Sequence, residues 1–229
     1  MAERASESQA RVWLQPIAYP SILGLYGFAV LTFAVASHLA GWWGVPGESI
    51  AAFQYLAPFA FFFGGLAQFL AGMWAYRARD GLATAMHGMW GAFWMGWSVL
   101  VLLIATGALP PSYPFEIAFG YWFVGLAAVT LVGAVVATTE NIALAFVLHT
   151  LWIGAALLAI GLLLTTPIWE TIAGWFLIVS ALAAWYTGSA LLVEGVLGRA
   201  VLPVGITPKA KQEPAVVPGE GEPGVAKGQ

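Results

Sequence analysis

Six apolar stretches divide this chain, at roughly residues 20–41, 50–76, 82–107, 116–138, 142–165 and 169–197. As a helix, each is long enough to cross about 30 Å of hydrocarbon at about 1.5 Å per residue. The breaks between them hold turn formers and charges: Pro46-Gly47-Glu48, the run from Arg77 to Gly81, Pro110-Pro111 with Pro114, Thr139-Glu140-Asn141, and Pro167. The pattern predicts an all-α integral membrane protein with six transmembrane helices. Basic residues then give it a direction. Arg4 and Arg11 precede the first span, Arg77 and Arg79 lie between the second and third, and Arg199, Lys209, Lys211 and Lys227 follow the sixth. The loops at the other end carry Glu48, Glu116 and Glu170 and no base. Lys and Arg concentrate on the cytoplasmic side, so both termini are expected there.

Composition agrees. Of 229 residues, 61% are hydrophobic and only 8% charged, against about 25% charged in a soluble domain. Twelve tryptophans suit interfacial anchors and bulky packing or pore groups. The chain has no cysteine, which excludes disulfides, thiolate catalysis and Cys-ligated metal. The net charge of −3 adds little, because the charges are sorted by position. Residues 1–18 read as a cytoplasmic N-terminal segment and 19–206 as the transmembrane domain. Residues 207–229, rich in Pro, Gly and charge, read as a disordered cytoplasmic tail. Ala34 to Ser37, "AVAS", resembles a signal-peptide cleavage site, but the apolar run continues past it to Leu39, so the segment is expected to stay as a span.

A few polar groups interrupt the spans. Gln68 sits in the second, with Gly64 and Gly72 four residues to either side on one helical face. A buried amide needs a partner, and glycines let another backbone come close. Gln68 therefore reads as helix–helix glue or as part of a polar path, and both can hold. On the first span, Ser21, Leu25, Phe28 and Thr32 follow a 3–4 spacing, a stripe that mixes hydroxyls with a bulky ring and suits a pore for a small polar solute. Buried Ser and Thr also bond their own backbone in membrane helices, which is the plainer reading of any one of them. His87 precedes Trp90 by about 60° of helix rotation, so the two share a face. Packing and a role in moving a proton are both open to it. His149 lies about 200° from Leu151 and reads as a packing or interface residue. His38, near an end of its span, reads as solvated.

Several stretches together resemble a known family. "GGLAQFLAGMWAYR" from Gly64, "MWGAFW" from Met89 and "RAVLPVG" from Arg199 are similar to the acetate uptake transporters, the family of the bacterial succinate–acetate permease. The family's signature Asn-Pro-Ala-Pro-Leu-Gly-Leu corresponds to "YPSILGL", which includes Tyr19, Pro20, Gly24 and Leu25. The resemblance covers residues 19–206. Tyr19, Ile22, Ala75 and Trp90 depart from the family pattern and bear on the substrate.

The resemblance implies a homohexamer in the plasma membrane, each subunit with its own pore for a small monocarboxylate such as acetate, and with succinate as a further candidate. It places the constriction at Phe28, Trp90 and Leu151. Spacing gives a separate check. All three stand eight or nine residues into spans that start on the same side, hence roughly 12–14 Å deep. A ring of bulky apolar groups gates by excluding water. Ser21, Thr32, Gln68 and His87 are the candidate pore-lining groups, and the Trp90 N–H is a donor that could meet a passing carboxylate. The expected partners are the acid, a proton, the lipid bilayer and further copies of the chain, with no cofactor and no nucleic acid. Two alternatives remain. One is a pore for another small solute, such as ammonia or an amide. The other is a redox protein holding b-type haem between His87 and His149. An enzyme is not expected, since the spans hold no carboxylate pair, nucleophile–base pair or metal cluster.

Overall fold

The computed structural model of the chain describes residues 18–44, 49–110, 113–208 and 210. The expected N-terminal segment apart from Ala18, most of the expected tail, and Arg4, Arg11, Glu48, Lys209, Lys211 and Lys227 lie outside these residues. The described elements are helical: α1 (Pro20–Leu39), α2 (Ser49–Phe59), a π-helical segment (Ala60–Ala67), α3 (Gln68–Ala78), α4 (Gly81–Ala105), α5 (Tyr113–Ala137), α6 (Ile142–Leu164) and α7 (Pro167–Leu197). Six helices are long and apolar enough to cross a membrane, the second formed by α2, the π segment and α3 together. These are the six predicted spans.

Local chemistry explains the ends. Pro20 and Pro167 stand in the first turns of α1 and α7, where a missing N–H leaves no bond unmade. Asp80 caps α4 by accepting from the Ala83 N–H at 2.8 Å, and Asn141 caps α6 by accepting from Leu144 at 2.8 Å. Asp80, within the polar break between the second and third spans, thus starts a helix. The second span is the one that is not a plain α-helix. Pro58 lies inside α2 and cannot donate to the preceding turn, and the wider π turn follows directly.

Packing closes the helices into a ring. α1 packs on α7, α7 on α6, α6 on α5, and α4 completes the circuit with lighter contacts to α5 and α1. α4 and α6 do not pack on each other, so they face across the middle. The second span lies outside, against α1 and α4. Glycines set these close approaches. A Cβ at Gly72 would stand 2.6 Å from the Gly88 nitrogen, and one at Gly91 2.5 Å from the Phe69 nitrogen. The backbones of the second span and α4 therefore touch, as the glycines around Gln68 predicted. Beyond α7, residues 204–207 return to the α5–α6 turn. The Ile142 and Ala143 N–H groups donate to the Gly205 and Val204 carbonyls, each at 3.0 Å. The outward faces carry exposed rings, among them Tyr55, Phe62, Tyr121 and Trp122, as a lipid-facing surface allows.

Candidate functional site

Trp90, Phe93, Trp94 and Trp97 recur at 3–4 spacing on α4, so one face of that helix is an aromatic stripe. All four are buried and point into the ring of helices. From α1, Phe28 meets Trp90 edge to face, with ring centroids 6.3 Å apart and planes at 68°. Leu151 comes from α6 on the opposite side. Phe28, Trp90 and Leu151 are 3%, 4% and 2% exposed and belong to one continuous core.

The Trp90 indole is fixed from behind. Its N–H donates to the Thr130 hydroxyl of α5 at 3.1 Å, and that hydroxyl donates to the Leu126 carbonyl at 2.7 Å. The donor expected to face a passing carboxylate is thus bonded to Thr130. What Trp90 offers the path is its ring.

A chamber of about 840 Å³ opens on one side of this constriction. Thr32, Trp90, Trp94 and Leu151 line its deep end, Phe93, Trp97, Phe119 and Phe123 its walls, and Glu116 and Glu170 its far end. No Lys or Arg is in this lining. Phe28, Ser21, Gln68 and His87 do not line it. Phe28 meets Trp90 edge to face instead, while Ser21 and His87 stand nearer the N-terminal ends of α1 and α4. The His87 ring rests flush on Gly24, where a Cβ would stand 2.5 Å from it, and Gln68 packs on Gly27. Ser21 is half-buried in the first turn of α1. Tyr19 is exposed just before that helix, with its ring near Gly195 of α7, and Leu25 packs on Gly188. The signature stretch is therefore where α1 seats itself on α7 and makes room for His87.

Three buried polar groups near Trp90 lack a partner among the described residues: Gln68 Oε1, Thr32 Oγ1 and Trp94 Nε1. Leaving such a group unsatisfied costs roughly 1–3 kcal/mol. The Gln68 oxygen accepts no hydrogen bond among the described residues, while the residue packs on Gly27 of α1 and its neighbour Gly72 on Gly88 of α4. His149, expected to be a packing residue, accepts from the Trp152 N–H through Nδ1 at 3.1 Å. Both that histidine and His87 are held by packing neighbours of their own, and the arrangement does not fit a haem gripped between them. Sequence reading missed Trp94, Trp97, Thr130 and the inward position of both glutamates. The 3–4 spacing of aromatics along α4 was the available signal.

Fold and site together define a polytopic helical membrane protein with an aromatic-lined chamber among its helices. A model of the GPR1/FUN34/yaaH family matches residues 4–204, and the chain belongs to that family. It is 28% identical over 198 residues to the succinate-acetate/proton symporter SatP of Escherichia coli (strain K12), covering 82% of this chain and 96% of the relative. An uncharacterized protein of Methanothermobacter thermautotrophicus is likewise 28% identical, over 81% of this chain and 90% of its own length. The solved structure of the bacterial acetate channel SatP superposes with a TM-score of 0.73 at 26% identity, covering 83% of this chain and all of that one.

Proposed function

We propose that this chain carries small monocarboxylates, acetate first and succinate as a further candidate, across the plasma membrane together with a proton. The observation that carries this reading is the chamber whose deep end meets Trp90 and Leu151, with Phe28 packed against Trp90. A constriction of apolar side chains excludes water and makes an anion far more costly to pass than an uncharged acid. Gln68 Oε1, Thr32 Oγ1 and Trp94 Nε1 are buried close by without a partner among the described residues, and a small side-chain movement would let them hydrogen-bond a carboxyl group. The names of the SatP relatives support acetate, succinate and the proton.

The basic loops give the direction: the Arg77–Arg79 turn and Arg199 lie inside, and the glutamate end of the chamber opens outside. Assembly as a hexamer belongs to the same reading. Each subunit in that reading keeps its own path, the chamber lying among the helices of one chain. Uptake of labelled acetate into proteoliposomes, with and without an inward proton gradient, tests the function. The gradient should drive accumulation above the equilibrium level. Protein-containing vesicles that take up acetate no faster than empty ones would refute it.

A further inference from the structure

Glu116 and Glu170 occupy the first turns of α5 and α7, where a carboxylate near a helix N-terminus is ordinary. Their surroundings are not. Both line the chamber, from helices on either flank of α6, and they lie within electrostatic reach of each other. Glu170 is seated by a glycine: a Cβ at Gly161 of α6 would stand 2.6 Å from its Cγ and 3.0 Å from its backbone nitrogen. At the deep end of the same chamber, Thr32 and Trp94 are 5% and 4% exposed, and their hydroxyl and indole N–H have no partner among the described residues. Both atoms are closed off from the chamber as it stands, and a side-chain shift that opened them would offer an undissociated carboxyl a donor for its carbonyl and an acceptor for its O–H. A carboxylate anion, by contrast, would meet two like charges at the mouth and no cation in the lining.

We propose that Glu116 and Glu170 hold one proton between them at the mouth of the chamber and pass it to the arriving carboxylate, which then reaches the constriction uncharged. This rests on the reading of the chain as a monocarboxylate path. Two carboxylates in one poorly hydrated mouth repel each other, and a shared proton relieves the repulsion. In the transfer, the O–H bond of the protonated glutamate breaks and an O–H bond forms on the substrate. The glutamate pair then takes its next proton from the outer solution. Among the described residues, His38 is a further titratable group at this end of the helices, its ring 4.8 Å from that of Phe53 in the chamber wall, and the remainder stand apart. His38 of α1 is packed between Trp43 and Phe53. On α6, His149 is about 18 Å further along the helix than Gly161. Tyr186 and Glu194 are at the opposite end of α7, and His87 is nearer the N-terminal end of α4.

Two readouts test this in the full-length protein in proteoliposomes. The first is acetate uptake against outside pH for Glu170→Gln, Glu116→Gln and Gly161→Ala. Each should lose roughly tenfold near pH 7 and stay close to the parent near pH 5, where the solution itself supplies undissociated acid. Equal loss at both pH values, or no loss, overturns the proposal. The second readout does not need transport. Dicyclohexylcarbodiimide reacts with protonated carboxyls, and labelling of Glu170 near pH 7 should fall roughly tenfold in Glu116→Gln but change little near pH 5. Labelling indifferent to Glu116 overturns the shared proton even if acetate is transported. Coupled labelling in a protein that moves no acetate leaves the proton pair standing and refutes the transport reading instead.

Discussion

Trp90 acts through its shape. Because its N–H is spent on Thr130, the indole plane is pinned against Phe28 and Phe93, and its bulk narrows the path. Trp90→Ala should open the constriction and move the ratio of acetate to succinate uptake toward succinate by roughly tenfold, the effect of about 1.4 kcal/mol between competing substrates. Trp90→Phe keeps a ring but loses the bond to Thr130, so a smaller shift in the same direction is expected. Truncating a buried Trp also costs about 3–5 kcal/mol of stability, so ratios should be compared at equal folded protein in the membrane. An unaltered ratio in Trp90→Ala, alongside a shifted one in Phe28→Ala, would remove Trp90 from the constriction. The sequence showed that Trp90 is bulky and at the right depth. It could not show where the N–H goes, because Thr130 is on a different helix.

The helices themselves were legible, since apolar length and polar breaks are local properties. All six predicted spans are present, and Gly64, Gln68 and Gly72 are all buried. The π segment was not legible. Pro58 marks the disturbance, but whether a helix kinks, breaks or widens there depends on what packs against it. The Glu116–Glu170 pair was missed for a similar reason. Each reads as a charge at the start of a span, and only the packing of α5 and α7 around α6 brings both to one chamber. The direction of the helices rests on charge alone and can be tested by single cysteines in a chain that has none. Ala78 and Ala108 are both exposed, at opposite ends of the second-to-third span turn and the end of α4. An impermeant thiol reagent should label Ala108→Cys on intact cells and Ala78→Cys only after permeabilisation. The reverse pattern would turn the chamber to the cytoplasm.

The whole molecule is a ring of helices in which α4 and α6 are held apart, and what separates them is the chamber. Its walls are largely aromatic, Trp90 and Leu151 line its deep end, and Thr32, Trp94 and Gln68 bury polar atoms nearby with no partner among the described residues. Such an arrangement is poorly explained by packing alone, because apolar residues at Gln68, Thr32 and Trp94 would avoid the burial penalty. The central claim is that acid passes between Phe28, Trp90 and Leu151. The most direct test is a single cysteine, Leu151→Cys, treated with a small methanethiosulfonate reagent while acetate uptake is followed, with Val132→Cys on the exposed face of α5 as control. Modification at 151 should abolish uptake, and saturating acetate should slow the modification, while modification at 132 changes nothing. Full uptake through a protein verifiably modified at 151 would contradict the path.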